Sequence, residues 1–398
     1  MNIAVLFRWL LVSGLISVMA GCSTVAYYSQ AIQGQWQILS NRVPVADLVS
    51  DDEVAAPLRE RLALSQQMLE FAEDRLGLSA EGRYRAYVDL KRQAVVWNIV
   101  AAPAHSLVAR QWCYPVVGCA PYRGYFSAEK ASSYARSLEA EGFDVYIGEV
   151  PAYSTLGWFD DPLLNTFINW SPAYLARLLF HELSHSRIWV NSDVGFNEAF
   201  ASFVGEQGVI EYLQAKGANE ELQAYQLAER QSRAFREFLA AAKNHLLHTY
   251  DQAARAQQGA AQGKAAAYAQ IDACYQTHRE QFGGTRYDVV MQKLNNAYFV
   301  AVGTYQDWVP AFAQLFRQAQ GDWSRFYILV EELAELDFEA REAALQELVA
   351  QLSAEHPENA GGDDDNTHQV HCEAFANHAL NAQVSAGENN QVGWGGHR

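Results

Sequence analysis

Positive charge is what this sequence has least of: 29 lysines and arginines stand against 46 aspartates and glutamates, a formal net charge of -17. Such a surface repels phosphate backbones and anionic headgroups, which excludes nucleic acid as a partner and excludes passive attraction to a membrane. Cysteine is scarce too, five in 398 residues, and no two pairs of them have the spacing of a structural zinc knuckle. Long apolar runs are missing. The N-terminal candidate, Trp9 to Val18, is too short for a comfortable transmembrane helix.

What is present is a chain with half of its residues hydrophobic, enough for a sizeable core in one large domain or two. The run after Arg8 ends in Met19-Ala20-Gly21-Cys22. Small residues before a cysteine resemble a bacterial lipoprotein signal, in which residues 1–21 are removed and the Cys22 thiol is acylated. Ser23 follows where an aspartate would signal retention in the inner membrane, so the expected address is the outer membrane, facing the periplasm. A lipid anchor would then hold to the membrane a protein whose charge does not seek it.

The middle of the chain carries Phe180-His181-Glu182-Leu183-Ser184-His185. His181 and His185 are four apart, so on a helix both rings leave one face about a turn from each other, the geometry in which two imidazoles grip one metal ion. Ser171 as N-cap and Pro172 at the first helical position predict that helix, and Leu175, Leu178, Leu179, Ile188 and Trp189 give it an apolar side. Zinc held by two neutral imidazoles and one further ligand keeps a position open for water, and Glu182 beside it is placed to act as general base. The competing arrangement is two hydrogen-bonded core histidines, with Glu182 in an ion pair with Arg177 or Arg187.

The third ligand is expected from Phe196-Asn197-Glu198-Ala199-Phe200-Ala201, which follows the turn-like Asn191-Ser192-Asp193-Val194-Gly195 and begins a second helix. Glu198 is the natural choice. A third histidine would need glycine at position 188 and histidine at 191, where this chain has Ile188 and Asn191.

HELSH followed by FNEAFA resembles the gluzincin group of zinc peptidases, in which Asn-Glu-x-x-Ala on a second helix supplies the glutamate ligand. More closely, the chain is similar to a family of bacterial lipoproteins described as zinc aminopeptidases, through YYSQAIQGQWQIL, WCYPVVGCAPYRGYF, AYSTLGWFDDPL, FHELSH, FNEAFA and NNAY, across roughly residues 27–330. The resemblance implies removal of residues from peptide N-termini. An envelope endopeptidase, or a binding lipoprotein on the same fold, is the alternative. Ser202 stands where many gluzincins place an aspartate behind a histidine, so the outer support of the ligands does not carry over.

The fold class expected is α+β, mainly helical with a small sheet, over residues 22–355. Helices are predicted from Ala26 to Ile38, Val54 to Leu76 and Ser127 to Glu141, and over most of 196–335; strands are predicted at 85–90 and 94–100, as a hairpin around Lys91 and Arg92, and at 144–150. Residues 150–162, just before the active helix, are read as a substrate-pairing edge strand or an ordinary loop, with Tyr153, Ser154, Thr155 and Asn197 as candidate peptide contacts. Asp160 and Asp161 either attract a substrate amine or cap the next helix. Tyr298 and Tyr305 are the candidate donors to an oxyanion. Cys113 and Cys119 flank a Pro- and Gly-containing loop and are expected to bridge; Cys274 and Cys372 either pair or stay free. Beyond Ala354 the apolar pattern stops, and residues 356–398 read as a disordered polar tail in which His368, His371 and His378 are solvated.

Overall fold

A computed structural model describes residues 27–114, 118–152, 160–302, 308–355 and Cys372. The described chain is mostly helical with small sheets, an α+β arrangement. Helix α1 (27–40) leads into a short strand β1 (Val43–Pro44), α2 (Val45–Ser50) and the long α3 (Ala56–Leu76). Gly77 ends α3 in the left-handed region, where its N–H turns back to the Ala72 carbonyl, a conformation that glycine adopts without a Cβ clash. Among the described residues no helix is long and apolar enough to cross a membrane.

The next part holds the strands: β2 (Ala86–Val88), β3 (Val96–Pro103), β4 (Trp112–Tyr114), β5 (Gly118–Ala120), β6 (Arg123–Tyr125), then helix α4 (Ala128–Ala140), β7 (Phe143–Val150) and β8 (Leu163–Leu164). The hairpin expected from 85–100 does not form. β2 lies between β1 and β8, whereas β3 lies between β6 and β7 in another sheet. Alternation identifies a strand but not its partner. The connection is held instead by Asn165, which accepts from the Leu90 N–H at 2.8 Å and donates to the Arg92 carbonyl at 2.9 Å. In the β4–β5 ribbon Cys113 lies directly opposite Cys119, and the two are joined by a disulfide.

The rest is helical: α5 (Pro172–Ser184), α6 (Val194–Ala215), α7 (Asn219–Ala256), α8 (Ala260–His278), α9 (Asp288–Gln292), α10 (Asn296–Val302), α11 (Val309–Gln318), α12 (Trp323–Ala334) and α13 (Phe338–Glu355). Within the stretch predicted as mostly helical, α9 and α10 are separate, because Asn295 turns its side-chain oxygen to cap the Tyr298 N–H at 2.9 Å and its amide to the Val145 carbonyl at 2.8 Å. The main core gathers the inner faces of α3, α5, α6, α11, α12 and α13; a second core gathers α7, α8 and α10. Of the predicted polar tail only Cys372 is described, and it is buried and bonded to Cys274 on α8. His368, His371 and His378, like Cys22 and the signal-like residues before it, lie outside the described residues.

Candidate metal centre

Helix α5 starts at Ser171-Pro172 as the sequence predicts, and buries Leu175, Leu179, Phe180 and Leu183 in the main core. That burial fixes its rotation and turns His181 to the opposite side. His185 is the helix's C-cap, still in the right-handed helical region, so the four-residue spacing keeps its meaning. The two rings meet at 88° with centroids 4.9 Å apart, and their Nε2 atoms are separated by 3.2 Å.

The reversal into α6 is built from three polar residues. Ser192 takes a positive φ of 65°. Asn197, fully buried, accepts from the Val190 N–H at 2.9 Å and donates to the Val190 carbonyl at 2.8 Å. Asp193 caps α6 through the Phe196 N–H at 3.0 Å and is paired at 2.8 Å with Arg341, a buried side chain of α13. Helices α5 and α6 then approach closely, because α6 has glycine where they touch: a Cβ on Gly205 would lie 2.9 Å from the Arg177 carbonyl oxygen and 3.3 Å from the His181 Cβ.

That approach delivers Glu198. Its carboxylate oxygens stand 3.4 Å from Nε2 of His181 and 3.7 Å from Nε2 of His185. Donors about 2.1 Å from one tetrahedral ion are separated from each other by about 3.4 Å, and the three distances found, 3.2, 3.4 and 3.7 Å, lie around that value. Two nitrogens and one carboxylate also make a donor set of the kind zinc takes in sites that keep a position open. Protonation agrees. Burial pushes the His185 imidazole down to about 4, aided by His181 and opposed by Glu198. Burial works to raise Glu198, but the hydrogen bond with His181 and the two imidazoles prevail and hold it below the usual carboxylate range. A neutral imidazole and an ionised carboxylate are the ligand forms a metal requires. The second cluster of ligating types among the described residues, Cys274, His278 and Cys372, has its two sulfurs joined to each other.

Glu182 sits beside this set with no ion pair among the described residues. Arg177 is taken by Glu206 at 2.7 Å and Glu229 at 3.1 Å, and Arg187 by Glu331 at 2.7 Å. Burial lifts the Glu182 carboxyl to about 7, with His181 opposing and the charges of Glu198 and Asp161 adding to the rise.

The other expected residues fall apart in space. Tyr298 packs in the second core, edge-on to Tyr146 at 5.0 Å. Asn197 spends both polar groups on the Val190 backbone. Tyr153, Ser154, Thr155 and Tyr305 lie outside the described residues. Asp160 is exposed, whereas Asp161 is buried. One residue that sequence reading did not single out shares the electrostatic surroundings of Glu182. Tyr84 is 5% exposed, its N–H donates to the Asp161 carbonyl at 2.7 Å, and its φ of 59° is in the left-handed region. Burial, then the charges of Glu182 and Asp161, keep its phenol protonated well above the usual range, with Arg83 opposing. A large residue at positive φ is rare enough to mark a strained site, but the stretch Glu81-Gly82-Arg83-Tyr84 gives no sign of it.

The sequence model of a family described as "Putative aminopeptidase" matches residues 26–345. No curated protein and no solved structure matches.

Proposed function

The chain belongs to that aminopeptidase family, whose model spans most of it, and from this premise we propose that it is a zinc-dependent peptidase that removes residues from the N-termini of peptides at the bacterial cell envelope. The observation that carries the proposal is the triangle of Nε2, Nε2 and carboxylate oxygen, with edges of 3.2, 3.4 and 3.7 Å. His181, His185 and Glu198 would hold the ion. Zinc in such a site lowers the pKa of a water and polarises a carbonyl.

The protein's own groups divide the remaining work. Glu182, half-buried with its carboxyl raised to about 7, takes the proton of the attacking water and returns it to the leaving amine; a carboxylate tuned close to neutrality suits both halves of that transfer. Tyr84, whose phenol is buried and acted on by the charge of Glu182, is the candidate donor to the developing oxyanion, whereas Tyr298 packs in the second core. Acylation of Cys22 would tether the enzyme to the outer membrane, facing the periplasm.

The test is metal analysis of protein made without residues 1–22, together with assays on peptides with free and with blocked N-termini. We expect equimolar zinc, hydrolysis confined to free-amine peptides, and a Glu182→Gln variant that keeps its zinc and loses turnover roughly 10²- to 10⁴-fold. Zinc-free wild-type protein, or a Glu182→Gln variant as active as wild type, would sink the proposal. Equal hydrolysis of blocked peptides would leave zinc chemistry standing and overturn the exopeptidase assignment.

A further inference from the structure

Helix α1 carries no charged residue. The chain has 46 acidic residues, yet the first of them is Asp47, and between Cys22 and Asp47 the single charge is Arg42. The inner face of the helix is fixed in place: Gln30 is buried and accepts from the Phe126 N–H at 2.8 Å, the ring of Phe126 fills the space that a Cβ on Gly34 would take, and Ile38 is buried in the main core. That rotation turns Ile32 and Trp36 outward, where they are 70% and 69% exposed. Four apart, they are neighbours on one side of the helix. A single exposed apolar residue is ordinary. Here an indole and an isoleucine stand side by side, and the other outward residues, Ser29, Gln33, Gln37 and Ser40, put no charge between them and the surroundings.

The end of α1 nearest Cys22 is aromatic. Tyr27 is stacked on Tyr114 with centroids 5.6 Å apart and has the Arg123 guanidinium 4.1 Å from its ring centre; Tyr28 meets Tyr114 edge-on at 6.4 Å, and Tyr122 is exposed. Tyrosine and tryptophan settle at the level of lipid headgroups, where the ring is apolar on one side and wet on the other. Reach selects the occupant. The five peptide units from Cys22 to Tyr27 span at most about 18 Å, so acyl chains on Cys22 bring α1, itself about 21 Å long, to the bilayer surface. The lack of acidic residues there spares this face the repulsion from anionic headgroups that the rest of a chain with a net charge of -17 meets. We propose that the outer face of α1 lies on the lipid surface to which Cys22 is anchored, with Ile32 and Trp36 set among the headgroups, so that helix and acyl chains together hold the protein in one orientation. This rests on the acylation of Cys22 in the reading above and is independent of the metal chemistry.

The experiment uses the acylated full chain in vesicles of phosphatidylethanolamine and phosphatidylglycerol, part of the lipid being brominated on the acyl chains near the headgroup. The chain has ten tryptophans, so the signal read is the emission of wild type minus that of Trp36→Gln. That difference should lose most of its intensity in brominated vesicles; a difference that bromine leaves unquenched overturns the inference. A second measurement needs no acyl chain. Protein made without residues 1–22 should float with the same vesicles at low and at high salt, and the double variant Ile32→Gln, Trp36→Gln should weaken that partition about tenfold or more, the scale of a large apolar side chain returned to water; equal partition of the two proteins overturns the inference. So does a dimer, seen by sedimentation without lipid, that Trp36→Gln dissolves, because the face then belongs to a second copy. An N-terminal peptide whose mass shows Cys22 unmodified removes the premise and the inference with it. Turnover of a soluble peptide keeps the two readings apart: both variants should match wild type whether or not the membrane contact exists.

Discussion

Tyr84 shows how a single position can hold a strained backbone and a buried phenol that its neighbours in sequence do not announce. Its backbone is held in the left-handed region by a bond from its N–H to Asp161 and a bond to its carbonyl from Gln66, the latter 3.1 Å long. Keeping an aromatic residue there costs of order 1–3 kcal/mol, and the surrounding hydrogen bonds are what sustain it. Tyr84→Phe keeps the ring and the backbone and removes only the donor. It should lower kcat about a hundredfold, the usual effect of losing one oxyanion donor, with zinc content and thermal midpoint unchanged; a variant with wild-type kcat would remove Tyr84 from the reaction. By contrast His181, Glu182, His185 and Glu198 were legible without any coordinates, because their relation is set by helix periodicity and one short turn, both local properties. Tyr84 enters the electrostatic surroundings of Glu182 only through the packing of segments far apart in sequence, so no spacing in the sequence announces it.

At the level of elements, the centre depends on how near α5 and α6 come to each other. Gly205 faces the Arg177 carbonyl and the His181 Cβ, whereas Gly208, a turn away, faces the side chains of Leu76 and Phe180 at 2.8 Å. Gly205→Ala must push backbone against backbone, so the helices separate and Glu198 moves with α6. We expect zinc affinity to fall about tenfold, comparable to loss of a supporting contact around a ligand. Gly208→Ala meets side chains that can shift, and should instead cost about 1–3 kcal/mol of stability with a smaller change in affinity. Competition with a chromogenic chelator and a thermal melt on both variants separate these outcomes; equal affinity for the two would show that this close approach does not set the site. Helices with strong apolar periodicity were read correctly from sequence, and strand pairing was not. β2 and β3 are both apolar segments of strand-forming residues, but their partners come from residues 43–44, 123–125, 143–150 and 163–164, contacts that no local pattern encodes.

Across the whole molecule, two cross-links tie distant parts of the chain together. The Cys274–Cys372 disulfide closes 98 residues, and in the chain-entropy account a loop of that length stabilises the fold by up to about 4 kcal/mol. Cys372→Ser should lower the thermal midpoint under oxidising conditions and remove its dependence on reductant, apart from the small share due to the Cys113–Cys119 ribbon; an unchanged midpoint would show that the bond confers no stability. The sequence left this pairing open because two isolated cysteines have many ways to meet. The other link is Arg341, whose guanidinium reaches back 148 positions to Asp193 and lies over the ring of Phe196. Since Asp193 caps the helix that bears Glu198, the position of that carboxylate depends on a side chain of α13, far along the chain. A chain cut before α13 would thus keep both histidines and both glutamates while losing the brace that holds the helix of Glu198 in register.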